Sequence, residues 1–250
     1  MTVLGVIPAR WASQRFPGKP LAPLAGRPLI EHVWRRARDA STLGELVVAT
    51  DDNRIADAVH AFGGVAIMTP ADCPSGTDRA AHVARRFPQA DLVVNVQGDE
   101  PLLDAGVIDA AVNALRETPW AGVATAVTPI HGQASFESPH VVKAVVGTGG
   151  RALYFSRSPI PSRVRTPPAP GEAWGLKHLG LYVFRRETLL AFASQPPAPL
   201  EQIEKLEQLR FLAGGVGIVA VETSRDAVGV DTPEELAEAE RLLVREGQSR

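Results

Sequence analysis

Short apolar runs alternating with helical patterns fill the first half of the chain, and this alternation constrains the fold more than any other feature. Four runs read as strands, at residues 3–7, 45–50, 65–69 and 91–96. Apolar residues at helical spacing predict helices over about 29–37, 55–62, 77–87 and 105–116. Strands that are apolar at consecutive positions are buried on both faces. The pattern therefore predicts an α/β fold with a mainly parallel sheet flanked by helices.

The pattern changes near residue 120. Strand-like runs follow one another with few helical patterns between them, at 123–127, 141–146, 152–156 and 179–184. They predict a smaller antiparallel or mixed region. A proline-rich segment at 159–173 predicts an exposed loop, and one helix is predicted over 200–212. The last helix is well marked, because Thr232 can cap it, Pro233 suits its first position and Glu235 completes a capping box.

Composition limits the classes of partner. Twenty-six basic residues nearly balance 28 acidic ones, so no strong overall field favours binding to nucleic acid or to an anionic membrane. No uninterrupted apolar run reaches about 18 residues, so no membrane insertion is predicted. Cys73 is the only cysteine, which permits no intrachain disulfide and fits a reducing cytoplasm. We expect residues 1–250 to form a single domain.

A basic loop follows the first predicted strand. Arg10, Arg15 and Lys19 lie within ten residues of one another, where the chain leaves the carboxyl end of the strand. Ligands bind at that edge of open α/β sheets. Arg10 and Lys19 can neutralise a triphosphate, and the hydroxyl of Ser13 can donate a hydrogen bond. The alternative is a solvated basic surface loop, and charge alone favours neither interpretation.

A series of sequence blocks continues from this loop in the order of a known family. The series begins with PARWASQRFPGKPL (8–21), VVATDD (47–52), MTPADCPSGTDR (68–79) and VVNVQGDEPLL (93–103). It continues with ALYFSRSPIP (152–161), KHLGLYVF (177–184), LEQIEKLEQLRFL (200–212) and GVDTPEEL (229–236). Over nearly the whole chain, these blocks resemble the cytidylyltransferases of KDO (3-deoxy-manno-octulosonate), also called CMP-KDO synthetases. Cys73 departs from the family pattern, in which a histidine is frequent.

The resemblance implies a fold and a reaction. The fold is a Rossmann-like sheet of the nucleotide-diphospho-sugar transferase type, with a smaller lobe at roughly 120–215 that binds the sugar and builds a homodimer. The substrates are CTP and KDO, and the anomeric hydroxyl of KDO attacks the α-phosphorus of CTP with the help of Mg²⁺. Pyrophosphate leaves, and the CMP-KDO formed in the cytoplasm serves lipopolysaccharide biosynthesis.

The resemblance also implies the site residues. The catalytic set is Arg10, Lys19, Asp99 and Asp231, of which Asp99 and Asp231 are the expected Mg²⁺ ligands, since hard carboxylates suit that ion. The nucleotide-binding set is Ala9, Arg10, Ser13, Lys19, Asp72, Ser75, Gly76, Arg79, Gln97 and Asp99. The sugar-binding set is Gln97, Arg157, His178, Tyr182, Glu207 and Gln208. In that set Arg157 is expected to grip the carboxylate of KDO, because a guanidinium binds carboxylates bidentately.

Several alternatives stay open at this point. Ser75 or Thr77 can cap the helix expected near residue 77, and Tyr182 can be a core residue. The alternative enzyme is a cytidylyltransferase for 8-amino-KDO or for a sialic-acid-like sugar. A catalytically silent nucleotide-binding protein is the alternative outside enzymes, and the intact set Arg10, Lys19, Asp99 and Asp231 argues against it.

Overall fold

The structure is a computed structural model that describes residues 1–12 and 16–248. The chain divides into two compact units. The first comprises Met1–Asp109 and Ala227–Arg250, and the second comprises Ala110–Asp226. The chain thus leaves the first unit, builds the second and returns.

Parallel strands form the core of the first unit. Their order is β6 (Leu92–Asn95), β1 (Val3–Ala9), β4 (Glu45–Thr50) and β5 (Val65–Met68). Strand β1 is buried at six of its seven positions, as its consecutive apolar residues predict. The predicted parallel sheet is confirmed, and its carboxyl edge carries the loops that follow β1, β4 and β6.

Helices connect these strands. They are α1 (Leu29–Arg38), α2 (Asn53–Ala61), α3 (Gly76–Ala84) and the first part of α4 (Ala105–Glu117). A small hairpin of β2 (Pro23–Leu24) and β3 (Arg27–Pro28) precedes α1. The last helix, α9 (Pro233–Gln248), begins with the predicted capping box. The N–H of Thr232 donates to the carboxylate of Glu235 (2.9 Å), and the N–H of Glu235 donates to the Thr232 hydroxyl (3.2 Å).

The second unit has mixed strand directions, as predicted. Strand β7 (Ala121–Ile130) pairs antiparallel with β10 (Gly175–Arg185) and parallel with β11 (Gly217–Glu222). Strand β10 also pairs with β8 (Lys143–Val146), which pairs with β9 (Ala152–Ser156). Short helices α5 (Gln133–Glu137) and α6 (Arg186–Phe192) lie between these strands. The proline-rich segment 159–173 contains neither helix nor strand and is mostly exposed.

Two helices occupy the segment for which one helix was predicted. Helix α7 (Pro199–Glu204) ends at Lys205, which has a left-handed backbone with φ of 55°, and α8 (Gln208–Ala213) follows. The single helix predicted over 200–212 is therefore wrong. The apolar spacing continues through Lys205, and no turn residue marks the break, so the pattern shows one helix where the backbone forms two.

No helix in the described part of the chain has the length and apolar character needed to cross a membrane.

Candidate active site

The basic loop begins where β1 ends at Ala9. Ala9 is buried and Arg10 is exposed. Gly18 has a left-handed backbone (φ 71°) and leads Lys19 into a 3-10 turn, Lys19–Leu21. A Cβ atom on residue 18 would lie 2.9 Å from the ring of Trp11. Glycine is therefore required here by backbone conformation and by space. Ser13, predicted to bind the triphosphate, lies outside the described residues.

Three of the predicted catalytic side chains meet in the first unit. Lys19 Nζ donates to Asp99 Oδ2 at 2.8 Å and to Asp231 Oδ1 at 3.0 Å. The lysine side chain is 12% exposed, whereas the two aspartates are 30% and 37% exposed. The carboxylates therefore keep a solvent-accessible side. Lys19 is 80 positions from Asp99 and 212 positions from Asp231 along the chain, and the fold brings the three side chains together.

Backbone packing sets the position of the two carboxylates. The N–H of Val230 donates to the carbonyl oxygen of Asp99 at 2.9 Å, which joins the segment before α9 to the loop after β6. A Cβ atom on Gly98 would lie 2.5 Å from the carbonyl oxygen of Pro8. Any other residue at 98 would push this loop away from β1 and displace Asp99.

The two aspartates also determine the charge of Lys19. Burial lowers the pKa of Lys19, but the charges and hydrogen bonds of Asp99 and Asp231 outweigh it and leave the pKa above its ordinary value. The ammonium is therefore charged at neutral pH.

The donor chemistry of this pair fits Mg²⁺. Two carboxylates that converge on one point offer the hard oxygen ligands that this ion prefers. The described residues contain no group of three or more His, Cys, Asp or Glu side chains placed to hold a metal ion. A metal here would take its remaining ligands from phosphate oxygens and water, which is the usual arrangement for Mg²⁺ at nucleotide sites.

The N-terminus of α3 carries Ser75 and Gly76. The Ser75 hydroxyl accepts from the N–H of Asp78 (3.1 Å) and donates to the Asp78 carboxylate (2.7 Å). Ser75, rather than Thr77, therefore caps the helix. Gly76 is exposed at the first helical position, and Asp72 is exposed on the preceding loop.

Arg79 lies inside the first unit, and its side chain is 3% exposed. Its guanidinium donates to the hydroxyl of Thr69 and to Asp51 Oδ2, the latter at 3.2 Å. The side chain therefore joins α3 to the segments that follow β5 and β4. Contact between Arg79 and a nucleotide stays a prediction; the observed contacts hold together the loops that follow β4 and β5.

A hydrogen-bonded network links three predicted sugar-binding residues in the second unit. Tyr182 Oη donates to Gln208 Oε1 (3.0 Å), and Gln208 Nε2 lies 3.5 Å from His178 Nδ1. His178 Nε2 lies 2.9 Å from the Thr125 hydroxyl, which donates to the carbonyl oxygen of Leu181 at 2.7 Å. Because that hydroxyl proton is already used, His178 donates through Nε2 and accepts through Nδ1.

Burial keeps this network neutral. The ring of His178 lies 4.9 Å from the ring of Phe155 and 5.4 Å from that of Tyr182, and burial lowers the pKa of His178 to about 3. Tyr182 is buried as well, so the core interpretation holds for its ring while its hydroxyl belongs to the network. The direct sugar contacts of these residues stay predictions.

Arg157 follows β9 and is partly buried. Its Nε donates to the carbonyl oxygen of Glu204 (2.9 Å), its Nη1 to that of Pro139 (3.1 Å), and its Nη2 lies 3.5 Å from that of Lys205. A guanidinium has five N–H groups. Within the described residues these three contacts direct three of the five N–H groups at backbone carbonyl oxygens.

The two remaining predicted sugar contacts are partly exposed. Gln97 lies just after β6 in the first unit, and Glu207 lies just before α8 in the second.

Sequence reasoning missed four polar residues that support the predicted ones. They are Asp51, Thr125, Lys143 and Glu204. The run VVKAVV offered one usable signal, because a charged residue inside an apolar strand must be either buried with partners or a sign of an exposed face. Glu204, on a predicted helix, gave no signal.

Comparison with known proteins identifies the family. A cytidylyltransferase family model matches residues 4–218. A 3-deoxy-manno-octulosonate cytidylyltransferase of Syntrophotalea carbinolica is 49% identical over 248 residues, covering 97% of this chain and 99% of that protein. The chain belongs to the 3-deoxy-manno-octulosonate cytidylyltransferase family.

Two further comparisons agree with the family assignment. A 3-deoxy-manno-octulosonate cytidylyltransferase of Myxococcus xanthus is 49% identical over 240 residues, covering 96% of each chain. The solved structure of a CMP:2-keto-3-deoxy-manno-octonic acid synthetase complexed with CTP is 42% identical, has a TM-score of 0.92, and is matched over 98% of this chain and 100% of that one. The resemblance inferred from the sequence and the predicted fold class are both confirmed.

Proposed function

We propose that the chain transfers the cytidylyl group of CTP to KDO and releases pyrophosphate. The observation that carries the proposal is the convergence of Lys19, Asp99 and Asp231 at the carboxyl edge of a parallel sheet, in a chain of this family. The anomeric oxygen of KDO forms a bond to the α-phosphorus as the bond to the bridging oxygen of pyrophosphate breaks. The electron pair leaves with pyrophosphate, and the hydroxyl proton passes to water.

The chain's own residues supply positive charge and alignment. Arg10 and Lys19 neutralise the triphosphate, and this charge matters most as negative charge develops on the leaving pyrophosphate. Asp99 and Asp231 would hold Mg²⁺, which when bound neutralises phosphate oxygens and orients them. Ala9, Ser13, Asp72, Ser75, Gly76 and Gln97 are the proposed remaining contacts to the nucleotide.

Arg157 is the proposed binding group for the carboxylate of the acceptor sugar. Its guanidinium donates to three backbone carbonyl groups, and its remaining N–H groups are the proposed contacts to the carboxylate of KDO. The neutral network of His178, Tyr182 and Gln208, together with Glu207, is suited to sugar hydroxyls, because neutral donors and acceptors bind them without leaving an unpaired charge.

Pyrophosphate release by the purified protein tests the reaction. Assays contain Mg²⁺ and CTP with KDO, 8-amino-KDO or sialic acid, and UTP replaces CTP in a control. We expect release with KDO and CTP and little with the other pairs. Release only with 8-amino-KDO or sialic acid would keep the chemistry and replace the acceptor. A folded protein that binds CTP but releases no pyrophosphate with any sugar would refute the proposal.

We also propose that the protein works in the cytoplasm as a homodimer built by the second unit. Leu153, Leu200 and Ile203 in that unit have large exposed apolar side chains, and Ile203 is 77% exposed. Covering such side chains favours self-association. Sedimentation analysis should give twice the chain mass, and Ile203→Lys should shift the equilibrium toward the monomer. A parent protein that sediments as a monomer at micromolar concentration would exclude the dimer.

A further inference from the structure

Lys143 is a buried cation with no role in the reaction as described so far. It lies at the start of β8 with a fully buried side chain. Its Nζ donates to the carbonyl oxygens of Ser138 (2.8 Å), Val141 (2.6 Å) and Arg157. All three donors of the ammonium are thereby used, and all three acceptors are backbone groups.

These carbonyl groups belong to the backbone around the guanidinium of Arg157. One is the carbonyl of Arg157 itself. The other two flank Pro139, whose own carbonyl oxygen accepts from Arg157 Nη1 at 3.1 Å. A single ammonium therefore fixes both the main chain of Arg157 and the segment that orients its side chain.

Glu204 holds the same segment from another direction. Its carboxylate accepts from the N–H of Arg157 (2.9 Å) and from the hydroxyl of Ser156 (2.5 Å). The carbonyl of Glu204 accepts from Arg157 Nε. The backbone of Arg157 is thus held at its N–H by an anion and at its carbonyl by a cation.

A buried lysine is energetically unfavourable at this position of a strand. Its neighbours Ala144, Val145 and Val146 are apolar, and a desolvated ammonium costs several kcal/mol unless its hydrogen bonds compensate. Burial and the charge of Arg157 both lower the pKa of Lys143, while Glu204 raises it. Three carbonyl oxygens around Nζ accept all three protons of the ammonium form and so favour it, which would place positive charge near the guanidinium.

We propose that Lys143 is a positioning residue for acceptor binding, which fixes the Arg157 guanidinium and supplies additional positive charge behind it for a carboxylate-bearing sugar. This inference rests on the proposed function, in which Arg157 binds the carboxylate of the acceptor. It predicts an effect confined to the sugar, because the contacts of Lys143 lie around Arg157 and not at Lys19, Asp99 or Asp231.

The experiment measures steady-state kinetics with KDO and CTP varied separately. Lys143→Met keeps the length of the side chain and removes its charge and donors. We expect the KM for KDO to rise about 10- to 100-fold, as for a displaced binding group, while the KM for CTP stays unchanged. Lys177→Met is the matched control. It removes a lysine from the adjacent strand β10, whose ammonium pairs with exposed Asp226 (2.7 Å), and it should leave both KM values unchanged.

A double-mutant cycle separates positioning from a general structural defect. If Lys143 acts through Arg157, adding Lys143→Met to Arg157→Met should raise the KM for KDO little beyond the single Arg157→Met change. Additive effects, an unchanged KM for KDO, or equal rises in both KM values would overturn the inference. Should Lys143→Met not fold, Lys143→Arg takes its place. Its bulkier cation displaces the three carbonyl groups, so an unchanged KM for KDO in that variant would equally overturn it.

Failure of the proposed function would look different. In that case the parent protein would release no pyrophosphate with KDO, or Arg157→Met would not change the KM for KDO. An active parent that depends on Arg157 but not on Lys143 would refute this inference alone.

Discussion

Lys19 shows how a single side chain can organise an acidic site. Between Asp99 and Asp231 it prevents the repulsion of two neighbouring carboxylates, and its raised pKa keeps it charged. In the proposed function the same ammonium also donates to phosphate oxygens of the nucleotide. On that proposal, one residue both stabilises the acidic pair and takes part in the reaction.

Replacing Asp99 by Asn should abolish most turnover and preserve the fold. The amide keeps the shape but loses the charge that holds Lys19 and would hold Mg²⁺, so we expect kcat to fall about 10²- to 10³-fold, as for the loss of one electrostatic group. Asp57→Asn changes an exposed aspartate of α2 and should leave kcat unchanged. Turnover by Asp99→Asn at the parent rate, in a protein with parental circular dichroism, would contradict the assignment.

His178 should make the stability of the protein depend on pH. Its pKa is about 3 in the folded state and about 6.5 in an unfolded chain, so the unfolded state binds the extra proton. Its contribution to stability is present above pH 6.5 and is lost as the pH falls, by about 1.4 kcal/mol per pH unit.

Urea unfolding at pH 6.5, 5.5 and 4.5 measures this dependence. The variant His178→Gln should show a slope smaller by that amount, whereas His131→Gln, which changes an exposed histidine, should keep the parental slope. Equal slopes for the parent and His178→Gln would show that the folded state admits the proton.

The sequence predicted the location and contacts of some functional residues better than those of others. Lys19, Asp99 and Asp231 were predicted by motif, and the fold brings them together. Arg79 was predicted at the nucleotide and that contact stays a prediction, whereas its buried hydrogen bond to Asp51 was not foreseen. Lys143 was not predicted at all. Motifs mark residues by identity, whereas contacts to backbone carbonyl groups depend on a tertiary arrangement that no local pattern contains.

At the scale of elements, a buried ion pair joins α7 to α8. Arg210 Nε and Nη2 donate to the Glu201 carboxylate at 2.7 and 2.6 Å, and both side chains are at most 10% exposed. The guanidinium also lies 3.9 Å over the ring of Phe192. This pair connects the helices across the left-handed residue Lys205.

Removing one charge of this pair should destabilise the protein. Glu201→Gln removes the carboxylate charge that the buried Arg210 guanidinium contacts, and we expect the free energy of unfolding to fall by about 3–5 kcal/mol. Glu238→Gln is the control, because its partner Arg241 and the glutamate itself are exposed, and exposed pairs contribute little. Chemical denaturation measures both changes, and a loss no larger than that of the control would indicate that the pair is solvated.

Elements with strong local signals were predicted almost to the residue. Strand β4 has its predicted bounds, and α9 begins at its predicted cap. The break at Lys205 was missed because nothing in the sequence marks it. Strand β11 was overlooked although VGIVAV at 216–221 is a continuous apolar run, since such a run can also be a short buried helix.

At the scale of the whole molecule, ligand binding should raise the free energy of unfolding. A ligand that binds only the folded state at 100 times its Kd adds about 2.7 kcal/mol, which corresponds to a rise in Tm of about 5–11 °C for a chain of this length. We expect this rise in Tm with CTP and Mg²⁺. The rise should be smaller when EDTA replaces Mg²⁺ and smaller when UTP replaces CTP. In Asp99→Asn, EDTA should no longer change the CTP shift. If EDTA leaves the CTP-induced rise in Tm of the parent protein unchanged, Mg²⁺ has no part in CTP binding and that part of the proposal is wrong.

The fold class followed from the sequence, and the change of pattern near residue 120 predicted a smaller lobe at roughly 120–215. Alternating strands and helices predict the parallel sheet, because the apolar pattern within each element indicates which of its faces are buried. The return of the chain to the first unit at Ala227 leaves no local signal.

That return has a consequence for how the protein is made. Lys19 and Asp99 are synthesised early, but Asp231 lies 212 positions after Lys19, and Val230 must reach back to the carbonyl of Asp99. A nascent chain can therefore contain its basic loop and all the strands of the described fold and still lack Asp231. Translation therefore supplies the second carboxylate that contacts Lys19 only after the last strand, β11, and a chain that stops between Glu222 and Asp231 would carry every strand of the described fold and lack that carboxylate.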